Sequence, residues 1–364
     1  MKAAVLHEVG KPLVVEAVQI DDPGPREVLV RTAAAGVCHS DYHYMNGSYS
    51  ADLPAVMGHE ASGIVEAVGR DVTYLAAGDH VISCLSVFCG SCRNCLTGKP
   101  YACEDSDATD RPAGQNPRLS QKGRVVHQGL GLGAFAEQML LHEHALVKIR
   151  PDMPMDRAAL IGCAVTTGFG AVIHTAAVEP GSTVAVIGCG GVGLSAINGA
   201  ALAGASRIIA IDIHDHKLEL AAQFGATDGI NASNVDPVEA VLEWTRGGID
   251  YAFEALGLKS TCEQAFAMLR PTGTACVIGM VPRGVKIEIE AADLLDDRRL
   301  IGSDMGSNAF RVDMPRFVDF YLNGKLNLDA MISQRVPLER VNEAYADMLA
   351  GNVARSVIAL DGSA

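Results

Sequence analysis

The chain has 364 residues, a length that suits two domains better than one. Its hydrophobic fraction of 49% and charged fraction of 20% are ordinary for a globular protein with sizeable cores. A formal net charge of −14 would repel a polyanion, so we expect neither a nucleic-acid partner nor an anionic membrane surface.

The ten cysteines could form disulfides, but the start of the chain does not look like a secretory leader. Residues 1–18 include Glu8 and Glu16 and contain no sustained apolar core. Closely spaced thiols in such a chain indicate metal ligands rather than bridges. We therefore expect a cytoplasmic protein.

The first part of the chain is predicted to be rich in β-structure. Short apolar or β-branched runs separated by Gly and Pro predict strands at residues 3–6, 28–33, 63–68 and 80–83. Residues 104–124 are polar and show no periodic pattern, so a long surface loop is predicted there. Such loops are often used for function or for contacts.

From about Val165 onward, strands and helices alternate. Strands are predicted at residues 183–187, 207–211, 251–254 and 275–279, and helices at 192–203 and 216–224. This alternation predicts a doubly wound parallel sheet. Residues 180–206 carry no charge and are long enough to span a membrane, but their glycines favour a buried strand followed by a buried helix. A final strand at 356–360 is predicted to rejoin the first domain.

A glycine-rich motif, Gly188-Cys-Gly190-Gly191-Val192-Gly193, lies between the first of these strands and its helix. Gly188 permits a tight turn, Gly190 lets the backbone approach a pyrophosphate, and Gly193 lets the helix pack on the sheet. The helix start also offers free N–H groups to phosphates. The motif predicts a nucleotide site, and a purely structural turn is the alternative.

Asp212 ends the next predicted strand, where a carboxylate can accept hydrogen bonds from both adenosine ribose hydroxyls. The alternative role is a helix N-cap. An anion there would repel a 2′-phosphate, so the predicted cofactor is NAD rather than NADP. Lys217 is a further candidate contact to this ribose, or else a solvated helix charge.

Four thiols in one short loop, Cys89, Cys92, Cys95 and Cys103, have the spacing of a tetrahedral zinc site. Four protein ligands leave no open position, so this zinc would hold together a loop that is poor in apolar residues. An iron–sulfur cluster and a redox thiol set are the alternatives.

A second candidate set is dispersed along the chain: Cys38, His59 and Cys163. Two thiolates and one imidazole would leave a fourth zinc position for water or substrate, as in alcohol dehydrogenase. Taken singly, Cys163 could be a small core residue and His59 a core histidine. Spacing alone cannot unite three residues so far apart.

In combination, these features resemble the zinc-dependent alcohol dehydrogenases of the medium-chain dehydrogenase/reductase family. The matching motifs, in order and approximate spacing, are Gly36-Val-Cys38-His-Ser-Asp41, Gly58-His-Glu60-Ala-Ser-Gly63, the four-cysteine loop, Cys163-Ala-Val-Thr-Thr-Gly168 and the glycine motif. The resemblance covers essentially the whole chain. It implies an α/β fold in which a doubly wound Rossmann domain is inserted into a β-rich GroES-like catalytic domain.

The implied boundaries are residues 1–164 for the catalytic domain with its structural zinc loop, 165–305 for the NAD-binding domain, and 306–364 for the return to the catalytic domain. The resemblance also implies two zinc ions per subunit and NAD as cofactor. Cys38, His59 and Cys163 would hold the catalytic zinc, and an alcohol would be oxidised to an aldehyde or ketone by hydride transfer to NAD.

By the same resemblance, Ser40 and His43 would carry the alcohol proton out of a dry site. A hydroxyl can both donate and accept, and a histidine titrates near neutrality. Their alternatives are a local turn bond for Ser40 and an exposed loop histidine for His43. Glu60 would lie beside the metal, or would serve as a buried ion-pair partner.

Further roles come from the resemblance alone. His39 would contact the cofactor pyrophosphate, and Thr167 and Arg355 match other positions that contact the cofactor. Asp41 would orient the imidazole of His59 and fix its tautomer.

Several other functions remain open. A polyol dehydrogenase of the same family is one, although many of those have glutamate in place of Cys163. A glutathione-dependent formaldehyde dehydrogenase shares the metal pattern and the long loop, but uses charged groups to hold its adduct. A zinc-free reductase and a non-enzymatic zinc-binding protein are more distant alternatives. The long loop resembles dimeric relatives, so a homodimer with a small-molecule substrate is expected.

Overall fold

The computed structural model describes residues 1–112 and 114–360. They divide into two compact units. Of the described residues, the first unit contains Met1–Cys163, Ala309–Asn323 and 332–360, and the second contains Ala164–Asn308 and Gly324–Met331.

The strands, in chain order, are β1 (Lys2–Leu6), β2 (Val14–Ala17), β3 (Gln19–Ile20), β4 (Glu27–Gly36), β5 (Ala55–Val56), β6 (Glu60–Val68), β7 (His80–Ser83), β8 (Leu119–Gln121), β9 (Arg124–Val125), β10 (His127–Gln128), β11 (Gln138–His142), β12 (Leu146–Ile149), β13 (Thr183–Ile187), β14 (Arg207–Asp212), β15 (Asp228–Asn231), β16 (Ile249–Glu254), β17 (Leu269–Val277), β18 (Arg299–Gly302), β19 (Ile332–Val336) and β20 (Arg355–Ala359).

The α-helices are α1 (His39–Met45), α2 (Arg93–Leu96), α3 (Met155–Leu160), α4 (Thr166–Gly170), α5 (Gly191–Leu202), α6 (Asp215–Ala222), α7 (Pro237–Thr245), α8 (Lys259–Ala267), α9 (Phe310–Leu322) and α10 (Val341–Leu349). Two π-helical turns, Ile161–Val165 and Ala171–Thr175, flank α4.

The first unit is built on β-sheets, as the sequence predicts. Its largest sheet has the order β12-β7-β6-β4-β20-β19, with β11 paired to β4. Two smaller sheets have the orders β10-β5-β1-β2 and β3-β8-β9. The predicted final strand is confirmed, because β20 runs antiparallel to β4. Large buried side chains such as Met57 and Phe135 fill the core of this unit.

The second unit contains the predicted doubly wound sheet. Six parallel strands have the order β15-β14-β13-β16-β17-β18, so the strand order reverses between β13 and β16. Ile209, Phe266 and Leu269 belong to the core packed around it. Ligands of such sheets bind outside the carboxyl ends of the strands at this reversal.

The uncharged run at residues 180–206 folds as β13 followed by the largely buried α5, which confirms the strand-and-helix prediction. Another stretch, Met155–Thr175, is long and apolar enough to cross a membrane. However, 83% of its most apolar window is buried inside the structure, as in a core helix of a folded domain.

The chain returns to the first unit in two steps. The sequence places the whole of 306–364 in the catalytic domain, whereas Gly324–Met331 groups with the second unit. Leu326 and Leu328 are buried there, and the N–H of Asn327 donates to the side chain of Asn198 at 3.0 Å. The sequence of residues 324–331 shows no polar or apolar pattern that would predict its packing in the second unit.

The segment 104–124 is more ordered than the predicted loop. It contains a 3-10 turn at Ser106–Thr109 and the strand β8, which pairs with β3 and β9. Arg111 donates to both oxygens of Glu27, and Arg118 donates to Glu27 at 2.7 Å. These ion pairs, and no periodic apolar pattern, hold the segment against Glu27. The sequence pattern therefore did not predict its structure.

Candidate active site

Three dispersed metal-ligand candidates meet inside the first unit. The ligand atoms of Cys38, His59, Glu60 and Cys163 all lie within 4.8 Å of one another, and all four residues are buried. His59 Nε2 is 3.2 Å from Cys163 Sγ although the residues are 104 positions apart. The structure thus brings together the residues that spacing alone could not unite.

The neighbouring strands explain why Cys38 and His59 meet. Gly36 at the end of β4 pairs with Glu60 at the start of β6, so the flanking residues lie at the same end of the sheet. Gly58 has a φ of 96°, and a Cβ there would lie 2.7 Å from the backbone nitrogen of Phe135. Only glycine suits both the backbone angle and the space.

Cys163 lies in the π-helical turn Ile161–Val165, which follows α3. Gly162 packs closely on β7, since a Cβ there would lie 2.9 Å from the carbonyl oxygen of Ser83. Single π turns inside α-helices are frequent at functional sites because they redirect one side chain.

His59 is held by Asp41. Nδ1 of His59 lies 2.9 Å from Asp41 Oδ2, and neither side chain is exposed. The other carboxylate oxygen accepts the N–H of Gly58 at 2.9 Å. Because the carboxylate attracts an N–H at Nδ1, the proton of the neutral ring stays on Nδ1 and the lone pair is on Nε2, the atom that faces Cys163.

The electrostatics of the cluster suit a cation. The hydrogen bond from Cys163 lowers the pKa of Cys38 against the effect of burial, and the same bond raises the pKa of Cys163. Burial disfavours protonation of His59, but the charges of Asp41 and Cys38 raise its pKa above the ordinary 6.5. Two thiols and a fixed imidazole are borderline-soft ligands that fit zinc.

Arg355 and Glu60 form a buried ion pair beside the ligands. Arg355 Nη2 lies 3.1 Å from Glu60 Oε2 and 3.6 Å from Cys38 Sγ. Burial raises the pKa of Glu60 to about 8, although the charge of Arg355 opposes this. This pair matches the alternative predicted for Glu60, a buried ion-pair partner. The predicted contact of Arg355 with the cofactor stays a prediction.

The four-cysteine loop also forms a cluster, with all four Sγ atoms within 4.8 Å of one another. Cys89 and Cys95 sulfurs are 3.9 Å apart, as are those of Cys92 and Cys103, and none forms a disulfide. Backbone N–H groups point at the sulfurs, for example Cys92 N to Cys89 Sγ at 3.3 Å. Donors from Ser91 are the largest cause of the lowering of the Cys89 pKa to about 6.

This donor set fits a closed tetrathiolate zinc site, because the amide donors favour thiolates and the sulfurs surround one point. Few apolar contacts hold the loop, and Leu96 is 73% exposed. A stack of Phe88 on His144, with ring centroids 4.4 Å apart, fixes the residue just before Cys89.

The glycine motif has the geometry that its sequence predicts. Gly188 has a φ of 94°, and a Cβ on Gly193 would overlap the carbonyl oxygen of Gly188. Gly190 has nothing within 4 Å of its Cβ position, so the backbone is open there. Helix α5 begins at Gly191, one residue before the predicted Val192.

Asp212 ends β14 and is nearly buried. Its Oδ2 accepts the N–H of Cys189 at 2.8 Å, and its Oδ1 accepts those of Ile213 at 2.8 Å and His214 at 3.1 Å. The N-cap of α6 is His214, so the N-cap role considered for Asp212 is wrong. The carboxylate is instead fastened to the glycine turn, where its remaining lone pairs suit ribose hydroxyls.

Comparison with known proteins identifies the family. The family described as alcohol dehydrogenase GroES-like domain matches residues 24–151, and the zinc-binding dehydrogenase family matches residues 191–323. The S-(hydroxymethyl)glutathione dehydrogenase of Saccharomyces cerevisiae is 38% identical over 370 residues, covering 99% of this chain and 96% of the yeast protein. The chain belongs to the zinc-dependent alcohol dehydrogenases of the medium-chain dehydrogenase/reductase family.

Solved structures agree with this assignment. Benzyl alcohol dehydrogenase from Acinetobacter calcoaceticus is similar with a TM-score of 0.93 and 35% identity, and 98% of each chain is covered. An alcohol dehydrogenase zinc-binding domain protein from Burkholderia ambifaria gives a TM-score of 0.94 at 36% identity, again over 98% of each chain. As a zinc-dependent alcohol dehydrogenase, the chain is an oxidoreductase that interconverts alcohols with aldehydes or ketones.

In this dehydrogenase, the residues predicted for proton transfer lie on α1, next to the cluster of candidate metal ligands. Ser40 Oγ is 3.7 Å from Cys38 Sγ. His43 is one helical turn further on, and burial lowers its pKa below 6.5. His39, at the start of the helix, is exposed. Their functional roles stay predictions.

Two other predicted contacts of the dehydrogenase also remain predictions. The hydroxyl of Thr167 donates to Met305 Sδ at 3.2 Å and is largely buried. Lys217 lies on α6, which follows Asp212 in the chain. Sequence reasoning missed a buried carboxylate, Glu254, whose signal is an acidic residue at the end of β16, directly after the apolar Ala252 and Phe253.

Proposed function

We propose that the chain oxidises a neutral alcohol with NAD at a zinc held by Cys38, His59 and Cys163, and catalyses the reverse reduction. The observation that carries the proposal is the buried convergence of these three ligand atoms. Asp41 supports it by fixing the imidazole tautomer at 2.9 Å. Zinc bound there would act as a Lewis acid on the substrate oxygen.

The chain's own residues supply the proton path. Ser40 offers a hydroxyl that can donate and accept at the edge of the cluster. Because burial lowers its pKa, His43 is neutral at neutral pH and can take a proton. No described residue satisfies its buried Nδ1, so that atom is available as an acceptor. Proton release through His43 should weaken as the pH falls through its lowered pKa.

We propose a second, structural zinc on Cys89, Cys92, Cys95 and Cys103. Their amide-supported sulfurs favour this over a redox thiol pair. Asp212 supports NAD over NADP, since an anion fastened beside the glycine turn would repel a 2′-phosphate.

A cavity of about 550 Å³ in the first unit supports the substrate proposal; its lining includes residues next to the metal-ligand cluster in sequence but none of the four cluster residues. Apolar lining residues include Tyr44, Met57 and Leu130, and Met57 lies two positions before His59. Both lining arginines are already paired, Arg111 with Asp21 and Glu27 and Arg118 with Glu27.

Among the described residues that line the cavity, Asp52 is the charged side chain that forms no ion pair, which favours an uncharged alcohol. A glutathione adduct carries carboxylates that would need free cations. This adduct is nevertheless the second candidate, because the yeast relative named above is an S-(hydroxymethyl)glutathione dehydrogenase.

A substrate panel tests these proposals. Primary, secondary and aromatic alcohols, together with formaldehyde plus glutathione, are assayed with NAD and NADP while zinc per subunit is measured. The expected result is NAD-linked turnover of uncharged alcohols with two zinc ions. Turnover that requires glutathione would overturn the substrate proposal, and alcohol turnover by zinc-depleted protein would overturn the metal assignment.

We also propose a cytoplasmic homodimer. All ten cysteines are free in the structure, which suits a reducing compartment. Leu295 is 89% exposed and Leu294 is 47% exposed, just before β18, and β18 is an end strand of its sheet. Such an edge is a natural place for a second copy. Sedimentation equilibrium should give twice the subunit mass, and a monomer would refute the dimer.

A further inference from the structure

Glu254 is a fully buried carboxylate at the point of the parallel sheet where the strand order reverses. It is the last residue of β16 and pairs with Ile187, the last residue of β13. The strand order reverses between these two strands, and dinucleotides bind outside the carboxyl ends of strands at such a reversal.

One oxygen of Glu254 fastens the turn that follows β16. Its Oε1 accepts hydrogen bonds of 2.8 Å from the backbone N–H of Leu256, the N–H of Gly257 and the hydroxyl of Thr261. Three donors on one carboxylate oxygen are charge-assisted bonds, which are stronger than neutral ones.

The same residue joins neighbouring turns. The backbone carbonyl of Glu254 accepts the N–H groups of Ile278 at 2.8 Å and Gly279 at 3.0 Å, after β17. A Cβ on Gly279 would lie 2.7 Å from Glu254 Oε2, so glycine is needed for this approach. Glu254 therefore lies between the loops that follow β16 and β17.

The turn held by Glu254 also reaches the nucleotide motif. A Cβ on Gly188 would lie 2.7 Å from the side chain of Leu256, and the N–H of Ala255 donates to Ile187 at 2.9 Å. Leu256 is nevertheless 45% exposed, so it borders both the glycine turn and open space.

The three hydrogen bonds to Oε1 satisfy only half of this carboxylate. No lysine or arginine of the described residues forms an ion pair with Glu254, and its buried Oε2 has no hydrogen-bond partner among them. Burying a charge without a cation costs free energy, which apolar packing would avoid. A buried carboxylate whose hydrogen bonds hold the loops at the ligand crevice of a parallel sheet is a candidate for a functional role.

We propose that Glu254 is a positioning residue for the nicotinamide half of the dinucleotide. Asp212 on β14 lies on the adenosine side of the reversal, so the other half of the cofactor lies over β16 and β17. Glu254 holds the loops after these two strands in the binding-ready arrangement. This inference rests on the proposed use of a nicotinamide cofactor.

The test compares a whole dinucleotide with its adenosine half. Glu254→Gln keeps the shape but removes the charge from the hydrogen bonds to Leu256 and Gly257. NADH binding is followed by nicotinamide fluorescence, and 5′-AMP binding by its displacement of NADH. We expect the Kd of NADH to rise roughly tenfold, while that of 5′-AMP changes less than about twofold.

A second variant covers the case in which Glu254→Gln folds poorly. Thr261→Val removes one donor to the carboxylate and should raise the Kd of NADH about threefold, again without affecting 5′-AMP. Glu263→Gln, which neutralises a carboxylate of α8 whose ion-pair partner Lys259 is exposed, serves as the matched control and should bind both ligands like the wild type.

Equal weakening of NADH and 5′-AMP would show a general structural role and overturn the proposal, as would unchanged NADH binding in Glu254→Gln. Failure of the proposed function is recognised separately in the wild type. A wild-type protein that binds NADH but turns over no alcohol would refute the dehydrogenase proposal without affecting the assignment of Glu254.

Discussion

Asp41 and His59 form a pair in which Oδ2 lies 2.9 Å from Nδ1 and neither side chain is exposed. The pair determines which nitrogen of His59 can bind a metal, because the proton must remain on Nδ1 for Nε2 to be a ligand.

Asp41→Asn should lower zinc affinity or kcat/KM by about 10- to 100-fold. The asparagine oxygen can still accept the N–H of Gly58, but its amide would then donate toward Nδ1 of His59 and favour the wrong tautomer. Chelator competition and steady-state kinetics measure the effect. Wild-type zinc affinity with wild-type kinetics would contradict the proposed orienting role.

Cys38→Ser should abolish alcohol oxidation and leave NADH binding nearly unchanged, since Cys38 belongs to the first unit and the glycine turn to the second. Turnover and fluorescence titration provide the two measurements. Cys276→Ala, which alters a buried thiol outside both cysteine clusters, is the control and should keep activity. Normal turnover by Cys38→Ser would remove this residue from the zinc site.

Cys95→Ser should act on stability before it acts on chemistry. Loss of one of four thiolate ligands should release the proposed structural zinc and destabilise a loop with few apolar contacts, lowering Tm by about 4–8 °C for a loss of about 2 kcal/mol. Calorimetry and zinc analysis test this. An unchanged Tm with unchanged zinc content would argue against a structural site there.

Asp212→Gly should lower kcat/KM for NAD about tenfold or more and shift the preference toward NADP, because the proposed carboxylate contact to the ribose is lost. The carboxylate also anchors Cys189, so some weakening with both cofactors is expected. Asp215→Asn, a nearby acidic position on α6, serves as the control. An unaltered ratio of the two kcat/KM values would exclude the ribose contact.

Glu27→Gln should destabilise the protein by about 3 kcal/mol, because it leaves the largely buried Arg111 and Arg118 without their shared carboxylate. Burial opposes ionisation of Glu27, but the two arginines outweigh it and lower the pKa from 4.5 to about 2. The stabilisation is thus complete above pH 4.5 and is lost as the pH falls toward 2.

The difference in unfolding free energy between Glu27→Gln and the wild type should therefore shrink below about pH 4.5. Urea titrations at several pH values measure it, and proteolysis should cut the variant first within 104–124. Asp152→Asn neutralises an exposed, arginine-paired carboxylate and should change stability by less than about 0.5 kcal/mol. A difference in unfolding free energy that stays constant with pH would show that the charge of Glu27 does not cause the stabilisation.

Local sequence patterns predicted those features whose residues are close together in the chain. The parallel sheet, the glycine turn and the four-cysteine loop each occupy one continuous stretch, and the structure has the strand 183–187 at the predicted bounds. The metal site needed the family resemblance, because Cys38, His59 and Cys163 come from separate elements. Long-range charge networks such as Glu27 with Arg111 left no periodic trace and were missed.

The π-helical turn at Ile161–Val165 makes the register of this helix sensitive to chain length rather than to residue type. Successive residues of an α-helix are rotated by about 100°. Deleting Ile161 or Gly162 would relax the turn into regular α-helix and rotate Cys163 away from its partners, with every ligand still present in the chain. We therefore expect a related sequence that is one residue shorter before the matching cysteine to have lost the metal site while keeping its ligands.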